Sequence, residues 1–136
     1  MARKAIMAYI LRDEKVLVVK KIGNDFWEYP QGGVEENETK EDAFYREMKE
    51  ELNLDKKDFE KVIETELVHT FYWPNEPYTK QENHVFIAEM KKDLEPQPDK
   101  KELSESIFVN KEEAKKITPW DELNELTKEL FEKVFI

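Results

Sequence analysis

Three glutamates, Glu47, Glu50 and Glu51, stand at positions i, i+3 and i+4. A helix over them would project all three carboxylates from one face. Crowded anions repel one another, so such a face is either solvated or built around a cation. Hard oxygen ligands of this kind suit Mg2+ or Mn2+, which bind through a few carboxylates and the oxygens of a substrate phosphate. In a chain with 32 Asp and Glu residues, an isolated E-x-x-E-E would be read as a solvated helix face. The residues around it decide the matter.

Gly32, Glu38, Arg46, Glu47, Met48, Glu50, Glu51 and Leu54 fall at the spacing G-x5-E-x7-R-E-U-x-E-E-x-G-U, where U is bulky and apolar. The segment resembles the Nudix box at every signature position except Asn53, where the Nudix hydrolases usually carry Gly. The resemblance implies an α/β fold, an α/β/α sandwich with a mixed sheet and a loop-helix-loop box. It also implies hydrolysis of a nucleoside diphosphate linked to a further moiety. On that basis Glu47, Glu50 and Glu51, with Gly32 beside them, would hold Mg2+, with Mn2+ as the alternative. Arg46 resembles the family's structural arginine and is expected to orient carboxylates. Glu38 would anchor the loop before the helix.

The preceding run, KKIGNDFWEYPQGG at 20–33, is similar to the RNA pyrophosphohydrolases and dinucleoside polyphosphate hydrolases in its W-x-x-P-Q-G-G pattern. Trp27, Pro30, Gln31 and Gly32 match without gaps, and Lys21 stands where those enzymes place an Arg. Lys21, Trp27, Gln31 and Gly33 are therefore candidate substrate contacts. The two glycines would let backbone approach a polyphosphate, and Lys21 would neutralise a phosphate. Trp27 reads equally well as an ordinary core aromatic. A fourth carboxylate is expected from KELSESIFVN, with Glu102 preferred over Glu105. The general base stays open among Glu47, Glu50 and Glu102. Tyr72 and Trp73 could stack on a base, although aromatics in such strands usually pack. His69 and His84 read as structural strand histidines.

These residues need elements to position them. Residues 4–11 and 16–21 read as a hairpin about Arg12–Lys15, and a short strand is expected at Phe26–Tyr29. Thr39 is a good N-cap for the helix carrying the glutamates, with Asp42 three residues on. Asn53 would stop that helix in the left-handed conformation, and Asn37 would turn the loop before it. Two longer strands are expected at 61–73 and 83–90, joined by a mobile loop rich in Pro and polar residues. A short strand at Ser106–Val109 leads to a helix at 111–117 capped by Asn110. A last helix follows, capped by Thr118, with an apolar stripe of Leu123, Leu126, Leu130 and Val134.

At 136 residues the chain has the length of one domain, 1–136. No apolar run approaches the roughly 18 residues of a membrane span, and no signal peptide precedes the first strand. With no cysteine there is neither a disulfide framework nor a thiolate metal site, which fits a cytoplasmic protein. The net charge of −10 opposes the basic stripe that tracking a long nucleic acid requires. The expected partner is therefore a small nucleotide or an RNA 5′ end, with no extended nucleic acid and no membrane.

Overall fold

The computed structural model describes residues 2–72 and 80–117. The last expected helix, capped by Thr118, and Trp73 lie outside them. Strand β1 (Ala2–Arg12) turns back into β2 (Lys15–Lys21), then come β3 (Gln31–Gly33), α1 (Lys40–Leu52), β4 (Phe59–Tyr72), β5 (Lys80–Met90), β6 (Leu103–Asn110) and α2 (Lys111–Ile117). Among the described residues, no helix is long and apolar enough to cross a membrane.

The sheet runs β4-β5-β1-β2-β6, with β3 paired to β1. It is mixed: β1 and β5 are parallel, while the other pairs are antiparallel. The β1–β2 hairpin closes with Arg12 opposite Lys15. Its two central residues, Asp13 and Glu14, have φ of 51° and 64°, the positive values that a two-residue turn needs to match strand twist.

Beyond the turn the two strands part, and residues 28–33 fill the gap. Glu28 exchanges two 2.8 Å backbone hydrogen bonds with Val19 of β2, and the Pro30 carbonyl accepts from Ala8 of β1. Gln31, Gly32 and Gly33 then pair with Met7, Ile6 and Ala5. The strand expected at Phe26–Tyr29 is thus reduced to one bridge at Glu28, and continuous pairing falls after Pro30. A proline nitrogen has no hydrogen to give, so the ladder is regular only beyond it. The other expected strands start within a few residues of their observed ends, and β6 extends back to Leu103.

Helix α1 covers one sheet face. Phe44 stacks on Phe86 with ring centroids 5.0 Å apart, and Met48 and Leu52 pack beside Ile6, Ala8 and Leu17. The opposite face gathers Met7, Tyr9, Val18, Tyr29, Val85 and Ile87, with Ala114 and Ile117 of α2 against it. This is the layered arrangement of a Nudix-type α/β/α sandwich.

The helix ends form as their residues dictate. Thr39 Oγ1 accepts from the Asp42 amide at 3.1 Å. Asn53 takes φ 56° and ψ 38°, and Leu54 N donates to Met48 O, so the last carbonyls are met without a glycine. Asn37 is also left-handed, at φ 66°. Asn110 Oδ1 accepts from the Glu113 amide at 2.8 Å at the start of α2.

Candidate active site

The parting of β1 and β2 opens a cleft of about 340 Å3 whose walls include Glu47, Glu50 and Glu51 of α1, Glu102, Lys21, Gln31, Gly32 and Gly33. These residues come from four separate stretches of chain. Trp27 is not among them: it packs beneath the second face of the sheet, while its neighbour Phe26 lines the cleft. Tyr72 is 74% exposed at the end of β4 and lies outside the described walls. His84 stands between β1 and β4, where burial, then Lys40 and Lys4, favour its neutral form.

Along α1 the three glutamates differ. Glu47 and Glu51 are buried, at 8% and 4% exposure, whereas the Glu50 side chain is largely exposed. Arg46 organises the group. Its Nε and Nη2 donate to both oxygens of Glu38 at 2.8 and 2.9 Å. Nη2 also donates to Gly33 O at 2.8 Å, and Nη1 to Glu47 and Glu50 at 2.8 and 3.3 Å. A planar guanidinium thus ties the loop carrying Glu38, the strand end at Gly33 and the first acidic turn of the cleft together. The same hydrogen bonds hold the Glu38 carboxyl down at about 2, helped by the Glu35 amide.

Glu47 and Glu51 shift the other way. Burial pushes the Glu47 carboxyl up in spite of Arg46. Burial, the Glu47 charge and a hydrogen bond with Glu102 push Glu51 up to about 9, against the pull of Lys21. Desolvated carboxylates that repel one another are an environment that a divalent cation would relieve. Among the described residues, no three acidic or histidine side chains already stand in ligand geometry. Glu47 and Glu50 are turned toward Arg46. The donor chemistry, hard oxygens only, fits Mg2+.

Glu102 and Glu105 part company. The Asp99 carboxylate accepts three amides, from Lys101, Glu102 and Leu103, each at 3.0 Å. The Glu102 carbonyl takes the Ile22 amide at 2.9 Å, and the Glu102 side chain, although exposed, hydrogen-bonds with Glu51. Glu105 is exposed on β6, opposite Lys20. Replacing Glu102 with Gln is accordingly expected to lower the maximal rate by about a hundredfold or more, within the range that positioned acid–base groups contribute. Glu105→Gln should stay near the wild-type rate. Steady-state kinetics of the two variants check this, and the reverse order would transfer the role to Glu105.

Gly32 has a tighter reason to be glycine than approach to a ligand. A Cβ there would stand 2.1 Å from Glu47 Cδ. Because the obstructed atom is the end of a flexible side chain, Gly32→Ala should fold, with Glu47 driven out of place. A loss of about 10^2 in kcat/KM is expected, as for misplacement of a reacting group by about 1 Å. Circular dichroism should be unchanged. At Gly33 a Cβ would meet the Arg3 guanidinium at 2.7 Å.

The NUDIX domain model matches residues 1–130. The chain belongs to the Nudix family. Two curated relatives are RNA pyrophosphohydrolases. One, from Pseudomonas putida, is 48% identical over 46 residues, covering 34% of this chain and 29% of that protein. The other, from Halorhodospira halophila, is 52% identical over 42 residues, covering 31% and 23%. The match therefore spans less than a third of either relative. Among solved structures, the E. coli dihydroneopterin triphosphate pyrophosphohydrolase is 21% identical with a TM-score of 0.75, covering 85% of this chain and 86% of that one. A C. elegans Ap4A hydrolase complex is 22% identical with a TM-score of 0.75 and 94% coverage of both chains. At these identities the likeness is one of fold.

Residue types and spacing left four participants unread. Glu28 is a buried carboxylate in the cleft, 3.2 Å from Lys21 Nζ. Arg3, Gln81 and Asn83 reach the same region through the pairing of β1 with β5. Glu28 carried one signal: it is an acidic residue within the otherwise apolar run FWEYP.

Proposed function

We propose that this Nudix protein is a Mg2+-dependent hydrolase of a phosphoanhydride bond in a nucleoside polyphosphate, acting on dinucleoside polyphosphates or 5′-triphosphorylated RNA ends. The observation that carries the reading is the burial of Glu47 and Glu51 in one cleft, met there by the exposed Glu102 and faced by Lys21. Buried carboxylates are costly unless they serve a site.

In this reading Glu47, Glu50 and Glu51 hold Mg2+, or Mn2+ in its place, which when bound offsets phosphate charge and acidifies water. Arg46 keeps Glu47 and Glu50 aimed while Glu38 and Gly33 hold Arg46 itself. Glu47, Glu50 and Glu102 are the candidates to take the proton of the attacking water. Lys21 offsets charge that grows on the leaving phosphate, and Gln31 and Gly33 line the wall the polyphosphate would follow. Tyr72 and Trp27 lie away from this wall, so base stacking by Tyr72 and substrate contact by Trp27 have less support than the roles of the carboxylates.

The substrate branch is supported by the W-x-x-P-Q-G-G run and by the RNA pyrophosphohydrolases that match over 46 and 42 residues. The net charge of −10 favours a small nucleotide or contact with only the first one or two nucleotides of an RNA. The test is a panel with Mg2+: diadenosine tetraphosphate, 5′-triphosphorylated RNAs of increasing length, a mononucleoside triphosphate and ADP-ribose, with products separated by chromatography. The specificity constant should be nearly flat beyond a few nucleotides and shallow in salt. A steep gain with RNA length, or a hundredfold preference for the triphosphate or ADP-ribose, would overturn the branch and leave the Nudix chemistry standing.

A further inference from the structure

Five polar or charged side chains are buried among the described residues: Glu28, Glu47, Glu51, Gln81 and Asn83. Four line the cleft, and the fifth, Asn83, accepts from Gln81. Burying such groups is expensive unless every partner is met, so their concentration in one place calls for a reason. Glu47 and Glu51 have one in the proposed chemistry. Glu28 has none there.

Its contacts supply one. Glu28 receives Lys21 Nζ at 3.2 Å and the Gln31 amide nitrogen at 3.0 Å. A carboxylate can only accept, so Gln31 must offer its nitrogen to Glu28 and turn its oxygen away. That oxygen faces Gln81 Nε2 at 3.4 Å, and the same nitrogen donates to Asn83 Oδ1 at 2.7 Å. Gln81 therefore presents its own oxygen outward, where it takes Arg3 Nη1 at 3.0 Å. One acceptor at the origin sets the direction of the whole chain of amides. Its two ends are cations on opposite sides of the inserted segment 28–33, Lys21 on β2 and Arg3 on β1. Arg12 and Arg46 are matched to carboxylates, whereas Arg3 donates to an amide oxygen and lies against Gly33.

We infer that Glu28 is a positioning residue that orients this amide chain and so holds Lys21 and Arg3 as a two-cation clamp for the substrate's phosphates. The clamp deepens the proposed hydrolase reading and rests on it for the identity of the substrate. Removing either cation weakens phosphate binding. Removing Glu28 weakens it by the same route, because Lys21 loses its anchor and Gln31 is free to flip.

The test is calorimetric binding of inorganic imidodiphosphate, which resists hydrolysis, in the presence of Mg2+. Glu28→Gln and Lys21→Ala should each weaken binding about tenfold, and the double variant about tenfold to twentyfold instead of a hundredfold. Gln31→Met interrupts the chain beyond Glu28, so it should couple with Arg3→Ala and add independently to Lys21→Ala. This second cycle decides the matter if Glu28→Gln does not fold. Wild-type affinity in Glu28→Gln, effects that multiply in both cycles, or no imidodiphosphate binding by the wild type would each overturn the clamp. A merely structural Glu28 would lower thermal stability and leave the cycles multiplicative. If the coupling is found but no nucleotide is cleaved, the hydrolase reading fails and the clamp stands. If nucleotides are cleaved but the effects multiply, only the clamp fails.

Discussion

Replacing Glu51 with glutamine is expected to lower turnover by about 10^3, the loss of about 4 kcal/mol of transition-state stabilisation, while making the metal-free protein more stable above neutral pH. The substitution keeps volume and removes the charge that a cation in the cleft needs. The stability change has a definite sign. Burial and the Glu47 charge raise the folded Glu51 carboxyl from 4.5 to about 9, so the folded state holds this proton more tightly than the unfolded chain does. The resulting stabilisation is complete below about pH 4.5 and is lost as pH rises toward 9. The advantage of Glu51→Gln over wild type, followed as the thermal midpoint in EDTA, should therefore grow between pH 5 and 9. Adding Mg2+ should raise the wild-type midpoint more than that of the variant. Near-normal Mg2+-dependent activity in the variant would remove Glu51 from the site.

Arg46→Ala is expected to cost both stability and activity. Five hydrogen bonds radiate from this guanidinium, and their loss leaves Glu38 and buried Glu47 without the cation that compensates them. A destabilisation of about 2–3 kcal/mol is expected, below that of a fully buried pair because the guanidinium keeps some water. For a chain of this length that is a fall of about 10 °C in thermal midpoint. Arg46→Lys should recover only part of it, since an ammonium cannot reproduce the fork that grips both Glu38 oxygens and Gly33 O. Denaturant titration of the three proteins checks the order.

What the sequence disclosed and what it concealed follow from distance along the chain. The caps at Thr39, Asn53 and Asn110 and the turn at Asp13 and Glu14 depend on residues a few positions apart, so side-chain chemistry specifies them locally. The acidic face of α1 is legible for the same reason. Arg3 and Gln81 meet across 78 positions, through a parallel strand pairing that no local pattern announces. Phe26 and Trp27 illustrate a finer limit. Neighbouring residues in an extended segment face opposite sides, so a shift of one decides which aromatic enters the cleft and which joins the core. Gly32 and Gly33 were legible as close approaches, but the groups that approach are Glu47 and Arg3, which only the assembled fold brings there.

On the proposed function, the cleft lined by Glu47, Glu51 and Glu102 directs water onto phosphorus in a reaction that needs a divalent cation. Incubation of the same nucleotide panel in 18O-labelled water, with Mg2+ or with EDTA, tests it most directly, the products being weighed by mass spectrometry. The expected result is one 18O atom on a phosphate of one product per cleavage, with Mg2+ and not with EDTA. Every nucleotide of the panel intact after prolonged incubation with Mg2+, or equal cleavage in EDTA, would contradict it.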